Sequence, residues 1–442
     1  MQTEFIIIIY FIFILGIGIY SAFRVKSPED YYVAGKRARL IPVSGSLLAT
    51  ILGGSAILGT IELSRDIGWA ALWFLFCASF GLFILIPISK YVKRYGHFTL
   101  PELLGRFYGK KVEFIASLII PVAWLGIVAA QIIAGAKILS DIGFTDYSSG
   151  AIIAGTIFIA YTLLGGQLSI LKTDTLQAIL IIAGLTALIY FSVRSETAVF
   201  IQKPEPAFLF NSSFSPFDLV ILILTYSVTF IVGPDIYSRL FCAKNERTAS
   251  GSIIVVALIL IPVSFGLTYL GIFSQQSEGE GIVLFASHLL PDWAFGLFVA
   301  ALLSAVMSSA DTTLLTSSLI LNELFAEDLD TNRSMKTTRW IVIAIGTISV
   351  IIALFITSII QSLLFALTVF SGAFVVPTLA GLLKAKVINK RVVPAIISGG
   401  LLALAGKIIH DYYFEITGNI IIIFAYIVNL AILFAPAKNR MR

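Results

Sequence analysis

Two hydrophobic segments of this chain are each interrupted near the middle by residues that break helices. Residues 39–64 contain Gly53-Gly54, and residues 217–240 contain Gly233-Pro234. At bilayer depth a broken helix frees backbone carbonyls and amides, which are tolerated only where they line a cavity or bind something. Corresponding breaks in two halves of a membrane protein therefore indicate the substrate and ion site of a transporter.

The composition is that of a membrane protein. Hydrophobic residues make up 58% of the chain, charged residues 12%, and the mean hydropathy is +0.98. A soluble domain has about 25% charged residues, so we expect an all-α polytopic protein in a lipid bilayer. We attribute the net charge of +5 to loops beside the membrane, not to nucleic-acid binding. The sequence shows no pattern of a hydrolytic triad or a phosphate-binding loop, which favours a transporter over an enzyme.

Thirteen apolar stretches approach the ~20 residues that a helix needs to cross a bilayer. They are 4–22, 39–64, 68–92, 112–139, 147–165, 172–192, 217–240, 250–274, 292–323, 337–358, 361–384, 391–410 and 418–436. If the N-terminus is outside, 25 of the 30 Lys and Arg residues face inward. The outward ones are Arg65, Lys137, Arg194, Lys203 and Lys407. This asymmetry predicts thirteen spans in the cytoplasmic membrane, with the C-terminus in the cytoplasm.

Spans 2–6 and 7–11 form two blocks of five, and each block opens with a broken helix. Because five is odd, the second block enters the membrane from the opposite side, which predicts an inverted repeat. The predicted units are a first helix and cytoplasmic loop (1–38), a first repeat (39–192), an inverted second repeat (217–384), and two C-terminal helices with a cytoplasmic tail (391–442).

The break in span 2 offers backbone oxygens. Adjacent glycines cost a helix roughly 1 kcal/mol each relative to alanine. The backbone is therefore free to unwind and turn carbonyls such as those of Ala49 and Leu52 toward a cation. Alternatively, these glycines only allow close helix packing, as small residues often do in membranes.

Span 9 offers hydroxyl oxygens. Ala305, Ser308, Ser309 and Thr312 follow i, i+3, i+4, i+7 spacing and share one helical face. Three hydroxyls on an apolar helix suit a cation that prefers oxygen ligands. Alternatively, they bond back to their own helix or join neighbouring helices.

Acids inside spans are costly and usually functional. Asp174 opens span 6, and Asp311 lies in span 9. Lys172 is close to Asp174 in sequence, so a surface ion pair is the alternative there. Glu62, Asp235 and Arg239 are nearer helix ends, and we expect them at an interface or a gate.

Five short motifs occur in order on this frame. They are Asp30-Tyr31-Tyr32-Val33-Ala34-Gly35-Lys36, Phe98-Thr99-Leu100-Pro101-Glu102, Thr173-Asp174-Thr175-Leu176-Gln177, Gly233-Pro234-Asp235 through Arg239, and Ala305-Val306-Met307-Ser308-Ser309-Ala310-Asp311. In these five motifs the chain resembles the solute:sodium symporter family, and most of all the proline- and pantothenate-type bacterial carriers of that family. The resemblance covers nearly the whole chain. The resemblance implies a leucine-transporter-like 5+5 inverted repeat with two discontinuous helices, and symport driven by Na+.

The resemblance also implies ion ligands. The main sodium site falls on the carbonyls of Ala49, Leu52 and Ala305 and the hydroxyls of Ser308 and Ser309. A second cation site, found in some members, falls on Asp174, Ser308, Asp311 and Thr312. Asp311 stands where members with that site carry a hydroxyl, so a second ion is not assigned here.

Substrate contacts implied by the resemblance fall on Ser55, Ala56, Gln131, Tyr226 and Phe230. For the two aromatic residues, core packing is the alternative. The sequence shows no sugar-binding amide cluster. We therefore expect a small polar solute such as an amino acid, an osmolyte or a short organic acid.

Two other functions stay open. One is a proton-coupled or uncoupled carrier on the same fold, in which Asp174 or Asp311 would titrate. The other is a transporter-like solute sensor, which is less favoured because no soluble signalling domain precedes the end of the sequence at Arg442.

Overall fold

The computed structural model describes residues 2–96, 98–195, 209–274, 281–326, 329 and 331–435. The regular secondary structure of this part of the chain is helical, with two isolated β-bridges in the connecting segments. The α-helices, in chain order, are α1 (Gln2–Ala22), α2 (Pro28–Val33), α3 (Leu40–Ile51), α4 (Gly54–Ile67), α5 (Leu72–Tyr95), α6 (Leu100–Tyr108), α7 (Lys110–Asp141), α8 (Tyr147–Arg194), α9 (Pro216–Leu222), α10 (Thr229–Val232), α11 (Pro234–Cys242), α12 (Glu246–Ser274), α13 (Ile282–Leu289), α14 (Asp292–Asn322), α15 (Asn332–Phe355), α16 (Ile359–Leu382), α17 (Asn389–Tyr412) and α18 (Glu415–Phe434).

Ten helical segments in the described residues are long and apolar enough to cross a membrane. Three shorter apolar helices accompany them, at Ile12–Ser21, Leu40–Ile51 and Tyr147–Leu163. The all-α polytopic class is therefore confirmed, whereas the number of thirteen spans stays a prediction. The predicted tail after residue 435, and Lys203, Lys438, Arg440 and Arg442 of the charge argument, lie outside the described residues.

The first helix break separates α3 from α4. Helix α3 ends at Ile51, Leu52 and Gly53 are not helical, and α4 begins at Gly54. A Cβ atom at Gly53 would lie 2.1 Å from the hydroxyl oxygen of Ser309 on α14. Glycine is needed here because α14 approaches the unwound backbone too closely for a side chain.

The second break separates α10 from α11. After a π-helical turn at 223–227, α10 lasts only four residues and gives way to extended backbone at Gly233, with ψ 132°. Pro234 then opens α11. Proline suits a first helical position because the amide hydrogen that it lacks would have no partner there.

Backbone hydrogen bonds join the two broken segments at one end. The amide of Ala38, before α3, donates to the carbonyl of Cys242 at 3.0 Å. The amide of Lys244 donates back to the carbonyl of Ala38 at 2.8 Å. The start of α3 is therefore tied to the end of α11.

Helix α14 lies at the centre of the molecule. Its most apolar stretch is 83% buried, the highest share among the ten candidate spans of the described residues. It packs against α8, α7, α3 and α1.

Helix α8 is bent at Gly166, where a φ of +57° gives glycine an advantage over other residues. The part of α8 after this bend carries Asp174 to α14.

Candidate functional site

A cavity of about 90 Å³ lies where the two helix breaks meet. Its lining residues are Thr50, Ile51, Ser55, Ala56, Trp124, Ile127, Gln131, Tyr226, Thr229, Phe230, Gly233, Asp235, Ile236, Ser309, Thr313, Leu363 and Leu367. The structure thus brings together all five residues predicted to contact solute. Their role as contacts stays a prediction.

Ser55 and Gln131 are paired at the start of α4. The side-chain amide of Gln131 donates to the hydroxyl of Ser55 at 2.7 Å. The backbone amide of Ser55 donates to the carbonyl oxygen of Gln131 at 3.4 Å. The first amides of a helix have no partner within that helix. Gln131 on α7 provides a partner for one of them, the amide of Ser55. Both side chains border the cavity as neutral polar groups.

Aromatic rings form one side of the cavity. The ring of Tyr226 stacks on Phe74 with centroids 4.2 Å apart and meets Phe230 edge-on at 5.0 Å. The indole of Trp124 meets Phe370 edge-on at 4.7 Å. Tyr226 and Phe230 therefore pack in the core and also face the cavity, so the two interpretations of these residues are compatible.

Asp235 also lines the cavity, which corrects the expectation of an interfacial position, while a role at a gate stays a prediction. Its Oδ2 accepts a hydrogen bond from the indole nitrogen of Trp124 at 2.9 Å. Sequence reasoning missed both residues. A usable signal existed for Asp235, because it follows Gly233 by two positions as Ser55 follows Gly53.

The hydroxyls of Ser308 and Ser309 lie beside the first break. Ser309 donates to the carbonyl of Thr50 at 2.7 Å, and Ser308 donates to Oδ1 of Asp174 at 2.7 Å. Each hydroxyl directs its hydrogen away from its own helix, so its lone pairs are available to a cation. The alternative of bonding back to α14 holds instead for Thr312, which donates to the carbonyl of Ser308 at 2.7 Å.

Backbone oxygens complete this region. Outside regular helices, no backbone hydrogen bond in the described residues reaches the carbonyl of Ala49 or Leu52. Both residues are fully buried, as is Ala305 on α14. A buried carbonyl without a partner is costly unless something else binds it.

Asp174 pairs with Arg239, and both side chains are fully buried. The guanidinium Nη2 lies 3.4 Å from Oδ2 of Asp174, and Nε donates to the hydroxyl of Ser46 at 3.1 Å. The alternative of a surface pair with Lys172 is wrong, since the Lys172 ammonium donates to Ser21 at 3.4 Å. Because Arg239 is fully buried, the expectation that it lies at an interface is wrong, while a role at a gate stays a prediction.

The four residues of the predicted second cation site come together around this ion pair. Arg239 donates to the hydroxyl of Thr312, whose oxygen lies 3.4 Å from Oδ1 of Asp311. Oδ2 of Asp311 is buried without a hydrogen-bond partner in the described structure. Two carboxylates and one guanidinium therefore share a buried cluster with Ser308.

The chain is similar to known proteins in sequence and in structure. The model of the sodium:solute symporter family matches residues 31–399. The chain is 26% identical to a sodium/proline symporter of Haemophilus influenzae (75% of this chain, 73% of the other) and 24% identical to a sodium/pantothenate symporter of Escherichia coli (72% and 71%). A solved structure of a substrate-bound, outward-open Na+-coupled sialic acid symporter aligns with a TM-score of 0.78 at 19% identity, covering 99% of each chain.

Proposed function

Because the chain belongs to the sodium:solute symporter family, we propose that it is a secondary transporter that imports a small polar solute together with Na+. The resemblance seen in five sequence motifs is thereby confirmed. One structural observation carries the proposal. Both helix breaks line a single cavity, and two hydroxyls of α14 lie beside the first break.

The main sodium site that we propose consists of the carbonyls of Ala49, Leu52 and Ala305 and the hydroxyls of Ser308 and Ser309. Oxygen ligands from unwound backbone and from a facing helix are the usual way in which such folds coordinate Na+. The directions of the two serine hydrogens support this assignment, because they leave oxygen lone pairs available for the ion.

The ion and solute sites would be coupled through the first break. Ser309 borders the cavity and also bonds to Thr50 in the last turn of α3. Sodium bound to Ala49 and Leu52 would fix the unwound backbone on which Ser55 and Ala56 are carried. By linkage, solute bound at Ser55 and Ala56 would then raise the affinity for sodium by the same factor.

In this proposal, the guanidinium of Arg239 takes the place of a second sodium ion. The guanidinium of Arg239 bonds to Asp174 and Thr312, two of the four residues of the predicted second site. A second ion there would face like-charge repulsion at short range. We therefore assign one sodium ion to each transport cycle. The unpartnered oxygen of Asp311 is the observation that favours the alternative, a carrier that moves a proton.

The remaining topology is part of the proposal. It comprises thirteen spans in the cytoplasmic membrane, a 5+5 inverted repeat with discontinuous helices at the two breaks, and an outward N-terminus. The alignment with a solved symporter over 99% of the chain supports the fold. Relatives named for proline, pantothenate and sialic acid carry chemically different solutes, so those names do not select one for this chain.

The decisive experiment uses the purified full chain in liposomes. A thermal-shift screen of small solutes, run in sodium and in potassium, first identifies a solute that binds. Uptake of that solute is then measured with an inward sodium gradient. Uptake that is unchanged when potassium replaces sodium at constant pH would favour the proton-coupled carrier, and binding without uptake would favour the sensor.

A further inference from the structure

Asp235 carries the charge of the cavity wall. The other lining residues of the described cavity are aliphatic, aromatic, hydroxyl or amide side chains without formal charge, or glycine. Asp235 is only 9% exposed, and its Oδ1 accepts no hydrogen bond within the described structure. The carboxylate therefore contributes a negative charge with one oxygen unsatisfied.

No Lys or Arg side chain lies within ion-pair distance of this carboxylate among the described residues. Arg239, one turn further along α11, directs its guanidinium to Ser46, Asp174, Ser238 and Thr312 instead. Removing an unpaired carboxylate from water costs several kcal/mol. A positively charged group that enters the cavity would offset this cost.

The aromatic rings around Asp235 favour the same kind of group. Trp124, Tyr226 and Phe230 line the cavity with it. A cation within about 6 Å of an aromatic ring is attracted to the ring face, and most strongly where water is excluded. Phe74 and Phe370 hold Tyr226 and Trp124 in place by ring contacts. A carboxylate next to rigid aromatic rings is suited to an ammonium group.

We propose that the transported solute carries a positively charged nitrogen, which binds between Oδ1 of Asp235 and these aromatic rings. This inference rests on the proposed function and adds the substrate class. Ser55 and Gln131, at the other helix break, would bind the neutral or anionic remainder of the solute. Asp235 is then the residue that determines specificity.

Asp235→Asn is the sharpest test, because an asparagine oxygen still accepts the Trp124 hydrogen bond while the charge is lost. Asp146→Asn is the matched control. Asp146 caps α8 from an exposed loop, and asparagine caps a helix about as well as aspartate. Asp235→Glu keeps the charge and serves if the asparagine variant does not fold.

Binding is measured by thermal shift of the purified full chain, in sodium and in potassium, against three classes of probe. L-alanine, L-proline, glycine betaine and choline carry a charged nitrogen. L-lactate and propionate carry a carboxylate alone, and glycerol is neutral. We expect that only probes with a charged nitrogen raise the melting temperature. We also expect Asp235→Asn to weaken the apparent affinity for these probes by about tenfold or more, as for loss of a charged hydrogen bond. The variants Asp146→Asn and Asp235→Glu should keep the preference for a charged nitrogen.

Four results would overturn the inference. They are stabilisation by lactate, propionate or glycerol alone, no stabilisation by any probe with a charged nitrogen, unchanged affinity for such probes in Asp235→Asn, and an equal loss of affinity for every probe class. The last would mean that Asp235 only holds Trp124 in place. If the probes with a charged nitrogen bind equally well in sodium and in potassium, sodium coupling is contradicted and this inference is supported. If lactate alone binds, and only in sodium, sodium coupling is supported and this inference is contradicted.

Discussion

The carboxylate of Asp174 and the guanidinium of Arg239 face each other at 3.4 Å with neither side chain exposed. They join the part of α8 that follows the bend at Gly166 to α11, the helix that follows the second break. A buried ion pair offsets its desolvation only while both partners are present, because removing one leaves an uncompensated charge. Its role can therefore be tested by removing the partners singly and together.

Arg239→Gln should destabilise the protein by about 3–5 kcal/mol, because Asp174 loses its partner in a buried site. The measurement is thermal unfolding of the purified variant in detergent. The double variant Asp174→Asn/Arg239→Gln should recover most of the loss, since it leaves two neutral amides. If the double variant is as unstable as the sum of the two single variants, the pair does not interact as described.

Asp174→Asn should reduce sodium-driven uptake and should also lower the melting temperature, because Arg239 is left without its anion. Uptake and thermal unfolding are measured on the same preparation. A variant with normal uptake would exclude a role for Asp174 in transport.

Ser309→Ala should raise the sodium concentration required for half-maximal uptake by about tenfold or more, because one of five oxygen ligands is removed from the ion. Ser308→Ala should act in the same direction. Ser317→Ala is the matched control, because Ser317 is a buried serine on the same helix that donates to the carbonyl of Thr313 and lies outside the cavity wall. Equal sodium dependence in Ser309→Ala and Ser317→Ala would contradict the assigned site.

The sequence predicted the helix breaks well because glycine and proline act locally. Gly53-Gly54 and Gly233-Pro234 coincide with the breaks, whereas Gly399-Gly400 lies inside α17. The match between two corresponding positions, and not glycine alone, therefore made the prediction. The hydroxyl face of α14 followed from helical periodicity. Which partner each hydroxyl takes depends on the neighbouring helices, and the sequence left that open.

Asp235 and Arg239 were predicted at an interface because their depth in the membrane was judged by their distance from the end of a hydrophobic segment. A helix that restarts at Pro234 places its first turn beside the cavity, so closeness to a segment end no longer means closeness to water. The pairing of Asp174 with Arg239 could not be predicted, since 65 positions separate them and only helix packing brings them together.

Gly53→Ala should impair both sodium affinity and uptake. A Cβ atom there would lie 2.1 Å from the Ser309 hydroxyl oxygen and 2.8 Å from its Cβ, so α14 would be displaced from the break. Gly16→Ala is the control, because nothing lies within 4 Å of a Cβ atom at that position. Normal sodium dependence in Gly53→Ala would show that the contact between Ser309 and the break is not needed for ion binding.

Ala56→Trp should abolish solute binding and spare sodium binding. Ala56 is buried in the wall of the cavity of about 90 Å³, so an indole there would fill the space in which a solute binds. The carbonyls of Ala49 and Leu52 lie one to two turns earlier in the chain, so the ion ligands should stay in place. Thermal shifts with sodium alone, and with sodium plus a solute that binds the unmodified protein, separate the two effects. Ala160→Trp, at an exposed position of α8, controls for the bulk of the indole. If Ala56→Trp still binds and takes up the solute, the solute site is not at the helix breaks, and the assignment of Ser55, Ala56 and Tyr226 to it is wrong.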